Sequence, residues 1–99
     1  MTAAALPIAA DHPAFDGHFP GAPVLPGVVL LDASLRAIEL ADGHAPRCWR
    51  VGSVKFLRAV APGEAPALTL EQQRLASGTI RFTILSAGQA VATGALSPQ

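Results

Sequence analysis

The chain has little with which to cross-link itself, span a membrane or grip nucleic acid. Its one cysteine, Cys48, has no partner for an intrachain disulfide, so a reducing, cytoplasmic compartment is expected. Basic and acidic residues balance at seven each. Zero net charge argues against a nucleic-acid binder, because neutralising phosphate needs a basic excess. No hydrophobic run approaches the roughly 20 residues a membrane span needs. The opening MTAAALPIAA has no basic region before its short apolar run, so no signal peptide is expected. Charged residues are only 14% of the chain and apolar residues 51%. Ninety-nine residues make one domain, 1–99, and bury about two-thirds of their surface. That excess of apolar side chains points to cover by a second subunit.

Proline and glycine, by contrast, crowd one stretch. Pro13, Gly17, Pro20, Gly21, Pro23, Pro26 and Gly27 forbid a helix there and interrupt any strand. The same stretch carries Phe15, Phe19, Val24 and Leu25, so it reads as an ordered, packed loop, and long loops in small domains are usually functional. It holds His18, and Asp32 follows fourteen residues later inside a strongly apolar run. A loop histidine and a carboxylate on a core helix are the parts of a paired acid and base.

Around that pair the periodicity is readable. Residues 28–41, VVLLDASLRAIELA, form a helix with Val28, Leu31, Leu35 and Ile38 on one face. Val29 and Leu30 make the first turn apolar all round, which predicts a buried N-terminal end, while Arg36 and Glu39 bring the second half to solvent. Asp42-Gly43 stops the helix. Residues 2–10 are a lead-in or edge strand, limited by Pro7. Residues 49–57 alternate loosely as a strand, with Gly52 suited to a bulge, and Ala61-Pro62-Gly63-Glu64 turns. Residues 67–75 fit either helix or strand, a strand sitting well between two others. Residues 79–85, TIRFTIL, are the clearest strand, with Ile80, Phe82 and Ile84 on one face. Ser86-Ala87-Gly88 is a hairpin turn, and 89–96 form the last strand. One long apolar helix followed by about four meandering strands predicts an α+β fold, a curled antiparallel sheet wrapped around the helix.

GHFPGAPVLPGVVLLD, Gly17 to Asp32, closely resembles the signature of the FabA/FabZ-type 3-hydroxyacyl-[acyl carrier protein] dehydratases, which have the hotdog fold. VKFLRAVAPGE, Val54 to Glu64, resembles the strand and turn after the helix in that family. The frame ADHPAFDGHFPG is similar to the compact, ApeI-like subgroup of aryl-polyene pigment clusters. The matched stretches and strand order cover nearly the whole chain.

The resemblance implies catalytic roles for His18 and Asp32, and a Gly27 amide that polarises the thioester. It implies a substrate tunnel at Phe19, Pro26, Val28 and Leu31, no cofactor, and a dimer in which the histidine of one subunit faces the acid of the other. A homodimer is expected, with a heterodimer kept open. Two departures stand out: the long N-terminal extension of larger members is lacking, and Arg36 stands where relatives often have glutamine.

Each residue has a plainer reading beside the catalytic one. A loop histidine also caps backbone carbonyls. Asp32 between Leu31 and Ala33 is expected to be partly buried, its proton held by desolvation; the plainer alternative is an exposed acid paired with Arg36. Pro26-Gly27 breaks the chain before a helix in any case, though free amides and the positive helix end lie there. Arg47, Arg50, Lys55 and Arg58 fall in an acid-free stretch, 43–63, able to receive an acidic carrier protein, or merely to form a solvated strand face. Phe15, Phe19 and Trp49 read as core or tunnel wall. His12 and His44, with Asp11, Asp16 and His18, match no familiar metal spacing, so no metal is expected. The expected reaction is dehydration of a 3-hydroxyacyl thioester on acyl carrier protein; a hotdog thioesterase and a non-catalytic acyl-binding or heterodimer subunit are the rivals.

Overall fold

The computed structural model describes residues 2–6, 8–9, 11, 13, 25–42 and 49–98. Among them, strand β1 (Thr2–Ala5) comes first, then helix α1 (Gly27–Asp42) and strand β2 (Trp49–Phe56). A single turn of 3-10 helix at Ala65–Ala67 leads into β3 (Thr69–Arg74), β4 (Ile80–Ser86) and β5 (Gln89–Pro98). The strands make one antiparallel sheet in the order β1-β3-β4-β5-β2, curled against α1. None of the described helices is long and apolar enough to cross a membrane.

The ambiguous stretch 67–75 is therefore strand. The expected four-strand meander needs correcting: β3, β4 and β5 meander, but β2 pairs with β5 at the far edge and leaves β1 beside β3. Alternation says which residues face inward, not which strand lies alongside. The link from β2 to β3 is held by backbone bonds, Leu57 N–H to the Val91 carbonyl at 2.8 Å and Ile8 N–H to the Ala65 carbonyl at 3.0 Å.

β4 follows its pattern, with Ile80, Phe82 and Ile84 buried and Arg81 exposed. It turns into β5 across Ala87 and Gly88, whose φ angles of 51° and 81° are both positive, the conformation whose twist matches antiparallel strands. β2 bulges where Gly52 was expected to allow it. Val51 faces Leu96 and Val54 faces Gly94, three steps on β2 against two on β5.

The buried face of α1 differs from the expected one. Leu30, Ser34 and Ile38, four residues apart, are fully buried, while Leu31 and Leu35 flank the core half-buried. Val28 is exposed, so the first turn is not buried all round. Ser34 explains the rotation. Its hydroxyl donates to the Leu30 carbonyl at 2.8 Å, which satisfies the only hydrogen it has to give. Its small size lets the helix settle on that side, and an aliphatic-only reading of the face passes over it.

Gly94 is where sheet and core meet most tightly. A Cβ there would lie 2.6 Å from Phe82 Cζ and 3.1 Å from Val54 Cγ2. Phe82 is buried and has nowhere to go. Gly94→Ala is expected to cost about 1–3 kcal/mol by overpacking, read from urea unfolding. Gly52→Ala, whose Cβ would come no nearer than 3.4 Å to Ala95 O, should stay within about 0.5 kcal/mol of the parent.

Candidate active site

The site is built where α1 begins. Leu25 N–H donates to the Val60 carbonyl at 2.9 Å, and Val29 N–H to the Pro26 carbonyl at 3.0 Å, so the chain is pinned on either side of Gly27. Gly27 opens the helix, and among the described residues its amide has no recorded acceptor. Such first-turn amides lack an intrahelical partner, and the helix dipole is positive there. The Phe56 ring lies directly over this glycine: a Cβ on Gly27 would sit 2.7–2.9 Å from three ring atoms. Gly27, Val28, Leu30, Phe56 and Arg58 help to line a cleft of about 460 Å³ at this point.

The loop that closes the cleft is held by one carboxylate. Glu64 Oε1 lies 2.7 Å from Arg58 Nη2 and accepts the Ser86 hydroxyl at 2.9 Å. Glu64 Oε2 accepts from Arg58 Nη1 at 3.1 Å and from the Ala61 amide at 3.0 Å. Glu64 thus ties the end of β4 to the turn that carries Val60, which in turn holds Leu25. The Arg58 hydrogen bond, then the Ala61 amide and the Ser86 hydroxyl, hold its carboxyl down from 4.5 to about 2. Arg58 is raised in return by the bond to Glu64.

Asp32 is not partly buried, as its apolar neighbours led us to expect. Its side chain is 62% exposed, and its Oδ2 lies 3.2 Å from Nε of Arg36, 76% exposed. This is the plainer alternative, and its cause is the rotated helix: with Leu30, Ser34 and Ile38 inward, position 32 faces out. Asp32 does not line the Gly27 cleft, so a single chain leaves the expected acid and amide in separate settings. Of the expected tunnel residues, Val28 lines the cleft. Leu31 packs against the core instead, and Pro26 is half-buried beside the cleft without lining it. His18, Phe19 and Arg47 lie outside the described residues, as do His12, Asp16 and His44.

The basic stretch does not form one surface. Arg50 and Lys55 pair across β5 with Ser97 and Thr93, which puts them on the sheet face away from α1. Arg58 lies beside the Gly27 cleft, already bound to Glu64. A separate groove of about 420 Å³ on the outer face collects Ser53, Lys55, Arg81, Thr83 and Thr93. Sequence reading missed Phe56 and Glu64; the alternation of Val54 and Phe56 on β2 held a signal for the first. Trp49, expected in the core or tunnel wall, is half-buried against the core, its indole N–H reaching Glu39 Oε2 at 3.4 Å.

Residues 1–95 match a protein family described as ApeI-like, ApeI dehydratase. The chain belongs to the ApeI-like dehydratase family. It is 32% identical over 84 residues to the 3-hydroxyacyl-[acyl-carrier-protein] dehydratase FabZ of Haemophilus influenzae strain PittEE, covering 77% of this chain and 57% of that protein. It is 33% identical over 94 residues to the FabZ of Chloroflexus aggregans, covering 87% and 60%. It thus spans less than two-thirds of the curated relatives it matches. Among solved structures, the dehydratase heterocomplex ApeI:P from Xenorhabdus doucetiae superposes with a TM-score of 0.66 at 24% identity, covering 96% of this chain and 83% of that one. An uncharacterized protein from Erwinia carotovora subsp. atroseptica matches with a TM-score of 0.62 at 26% identity, covering 93% and 77%. The fold is the hotdog fold. In this ApeI-like chain Phe56 sits over the glycine at the head of α1, and Asp32 follows five residues on.

Two predictions follow from this geometry. Gly27→Ala should push the Phe56 ring outward and lower stability, and pairing it with Phe56→Ala should remove that penalty. A double-mutant cycle by chemical denaturation is expected to show coupling of about 1 kcal/mol. For Glu64, the depressed carboxyl means that the unfolded chain binds the proton first as pH falls. Its stabilisation is therefore complete above pH 4.5 and lost on the way down to about 2. Glu64→Gln should melt below the parent at pH 7, and the gap should close by pH 2–3 in parallel thermal scans.

Proposed function

We propose that this chain dehydrates 3-hydroxyacyl-[acyl carrier protein] thioesters to trans-2-enoyl thioesters in fatty-acid or aryl-polyene-type biosynthesis. The observation that carries the reading is membership of the ApeI-like dehydratase family across residues 1–95, with His18, Gly27 and Asp32 in the motif positions. Neutral His18 takes the C2 proton. The Gly27 amide, at the positive end of α1, holds the enolate oxygen that develops on the thioester. Asp32 gives its proton to the C3 hydroxyl, which leaves as water as the C2–C3 double bond forms. Acid and amide meet only if a second subunit closes over them, and the exposure of Val28, Leu40, Val51, Phe56 and Leu57 supports such a dimer. In it, His18 of one subunit faces Asp32 of the other. Arg47, Arg50 and Lys55 receive the acidic carrier protein, with Arg58 held back by Glu64.

The Asp32–Arg36 contact favours a second reading of the proton path. There the Asp32 carboxylate is engaged by the Arg36 guanidinium at 3.2 Å. In that case His18 returns the C2 proton to the leaving hydroxyl itself, and Asp32 acts as a fixed charge. Timing enoyl formation from a 3-hydroxyacyl-carrier substrate separates these. His18→Ala should nearly abolish turnover in a folded protein. Loss of about a hundredfold or more in Asp32→Asn, with partial activity in Asp32→Glu, supports Asp32 as the acid; elimination at the wild-type rate in Asp32→Asn supports His18 alone. Free acid as product would make the protein a thioesterase, and unchanged thioester a non-catalytic subunit.

A further inference from the structure

The sheet face turned away from α1 carries a groove of about 420 Å³, within the range of roughly 300–1,000 Å³ in which small molecules are held. Strand register explains its shape. Lys55 on β2 faces Thr93 on β5, Thr93 faces Thr83 on β4, and Arg81 on β4 faces Ala95 on β5. Phe82 is buried in the core, and a Cβ on Gly94 would meet its ring, so both point to the other face and give the groove only backbone. With Ala95 beside them, the floor is low. Ser53, in the bulge between Val51 and Val54, joins the same wall, as bulges do when they re-aim a side chain. Lys55 and Arg81 are exposed on either side, and Thr83 and Thr93 are half-buried between them. The two cations start about 12 Å apart at Cα, two strands across and two residues along. One small ligand lying over the threonines is within reach of both.

No acid lines this groove. Arg36 and Arg58 are each tied to a carboxylate, of Asp32 and Glu64. Among the described residues, Lys55 and Arg81 are in no ion pair. Glu71 shares a smaller hollow with Arg81, on the side away from Lys55, and it too leaves Arg81 unpaired. We propose that the groove binds a small phosphate monoester. Its phosphate lies over Thr83 and Thr93, between the Lys55 ammonium and the Arg81 guanidinium. Arginine offers a planar fork of N–H donors that fits two phosphate oxygens, and lysine a compact charge. The hydroxyls of Thr83, Thr93 and Ser53 donate to the oxygen left over and share the others. A doubly charged monoester balances two cations; a diester has one charge, and a carboxylate has only two oxygens for five donor groups. The site goes beyond the dehydratase reading. It lies on the opposite face of the sheet from the Gly27 cleft and shares only Lys55 with the residues assigned to the carrier protein.

Methyl phosphate and dimethyl phosphate are the matched probes, titrated into the isotope-labelled full chain at low salt and about pH 8, where the monoester is doubly charged. Amide resonances of Thr83, Thr93, Gly94 and Ala95 should move saturably with methyl phosphate, with a Kd of about 1 mM. Dimethyl phosphate should bind about tenfold more weakly or worse, and Arg81→Gln should weaken methyl phosphate by about tenfold. Thr93→Val, which keeps the side-chain shape and removes the hydroxyl, should weaken it about threefold. Arg81 is exposed, so its variant should keep the wild-type spectrum away from the groove, and the comparison of the two esters needs no variant at all. The absence of saturable shifts overturns the site. So do equal affinities for the two esters, or an Arg81→Gln chain that binds as tightly as wild type. Shifts confined to Gly27, Val28 and Val29 would place the anion at the head of α1 instead and overturn it as well. Each readout is binding, so it stands whether or not the chain dehydrates a thioester.

Discussion

The contact of α1 with the sheet through Leu30, Ser34 and Ile38 is the constraint on which the rest depends. A helix has one face to bury, and choosing that face also chooses what is left outside. With Ser34 inward and its hydroxyl returned to Leu30, Gly27 comes beneath Phe56, Leu31 and Leu35 become flanks, and Val28, Asp32, Arg36 and Leu40 are turned to solvent. Rotation by one residue toward Leu31 and Leu35 would have buried Asp32 and its charge. An unpaired buried carboxylate is expensive, whereas a satisfied serine is not.

The head of the helix is fixed from the opposite direction, by Glu64. This acid does not itself line the cleft, yet through the Ala61–Glu64 turn it holds Val60 where Leu25 can bond to it. A site that needs a free amide at a set place benefits from support by several short, charge-assisted bonds, because among the described residues the amide has no acceptor to hold it. At the far end, Trp49 reaches Glu39. Two contacts, Phe56 over Gly27 and Trp49 at Glu39, therefore peg α1 antiparallel along β2.

The exposed acid changes how the catalytic reading must be built. In a single chain, the Asp32 side chain is exposed and meets the Arg36 guanidinium at 3.2 Å. Val28 and Leu40, in line with Asp32 and Arg36 on α1, are exposed as well.

How much could be read in advance depended on whether a feature is local. The helix, the β4 alternation, the β4–β5 turn and the bulge at Gly52 are written in neighbouring residues, because period, turn chemistry and backbone freedom act over a few positions. The spacing of His18, Gly27 and Asp32 within one motif suggested the candidate site; of these the structure describes Gly27 at the head of α1 and Asp32 on its exposed side. Which strand β2 joins, which face of α1 is buried, and whether Asp32 faces core or solvent were not legible. Those depend on shape matching between residues far apart in the chain: Ser34 against the sheet, Phe56 against Gly27, Glu64 against Arg58 and Ser86. By itself the sequence determined the elements and the family motif they carry. Only the tertiary structure decided their rotation and neighbours, because close packing selects among faces that hydrophobic pattern alone leaves nearly equal.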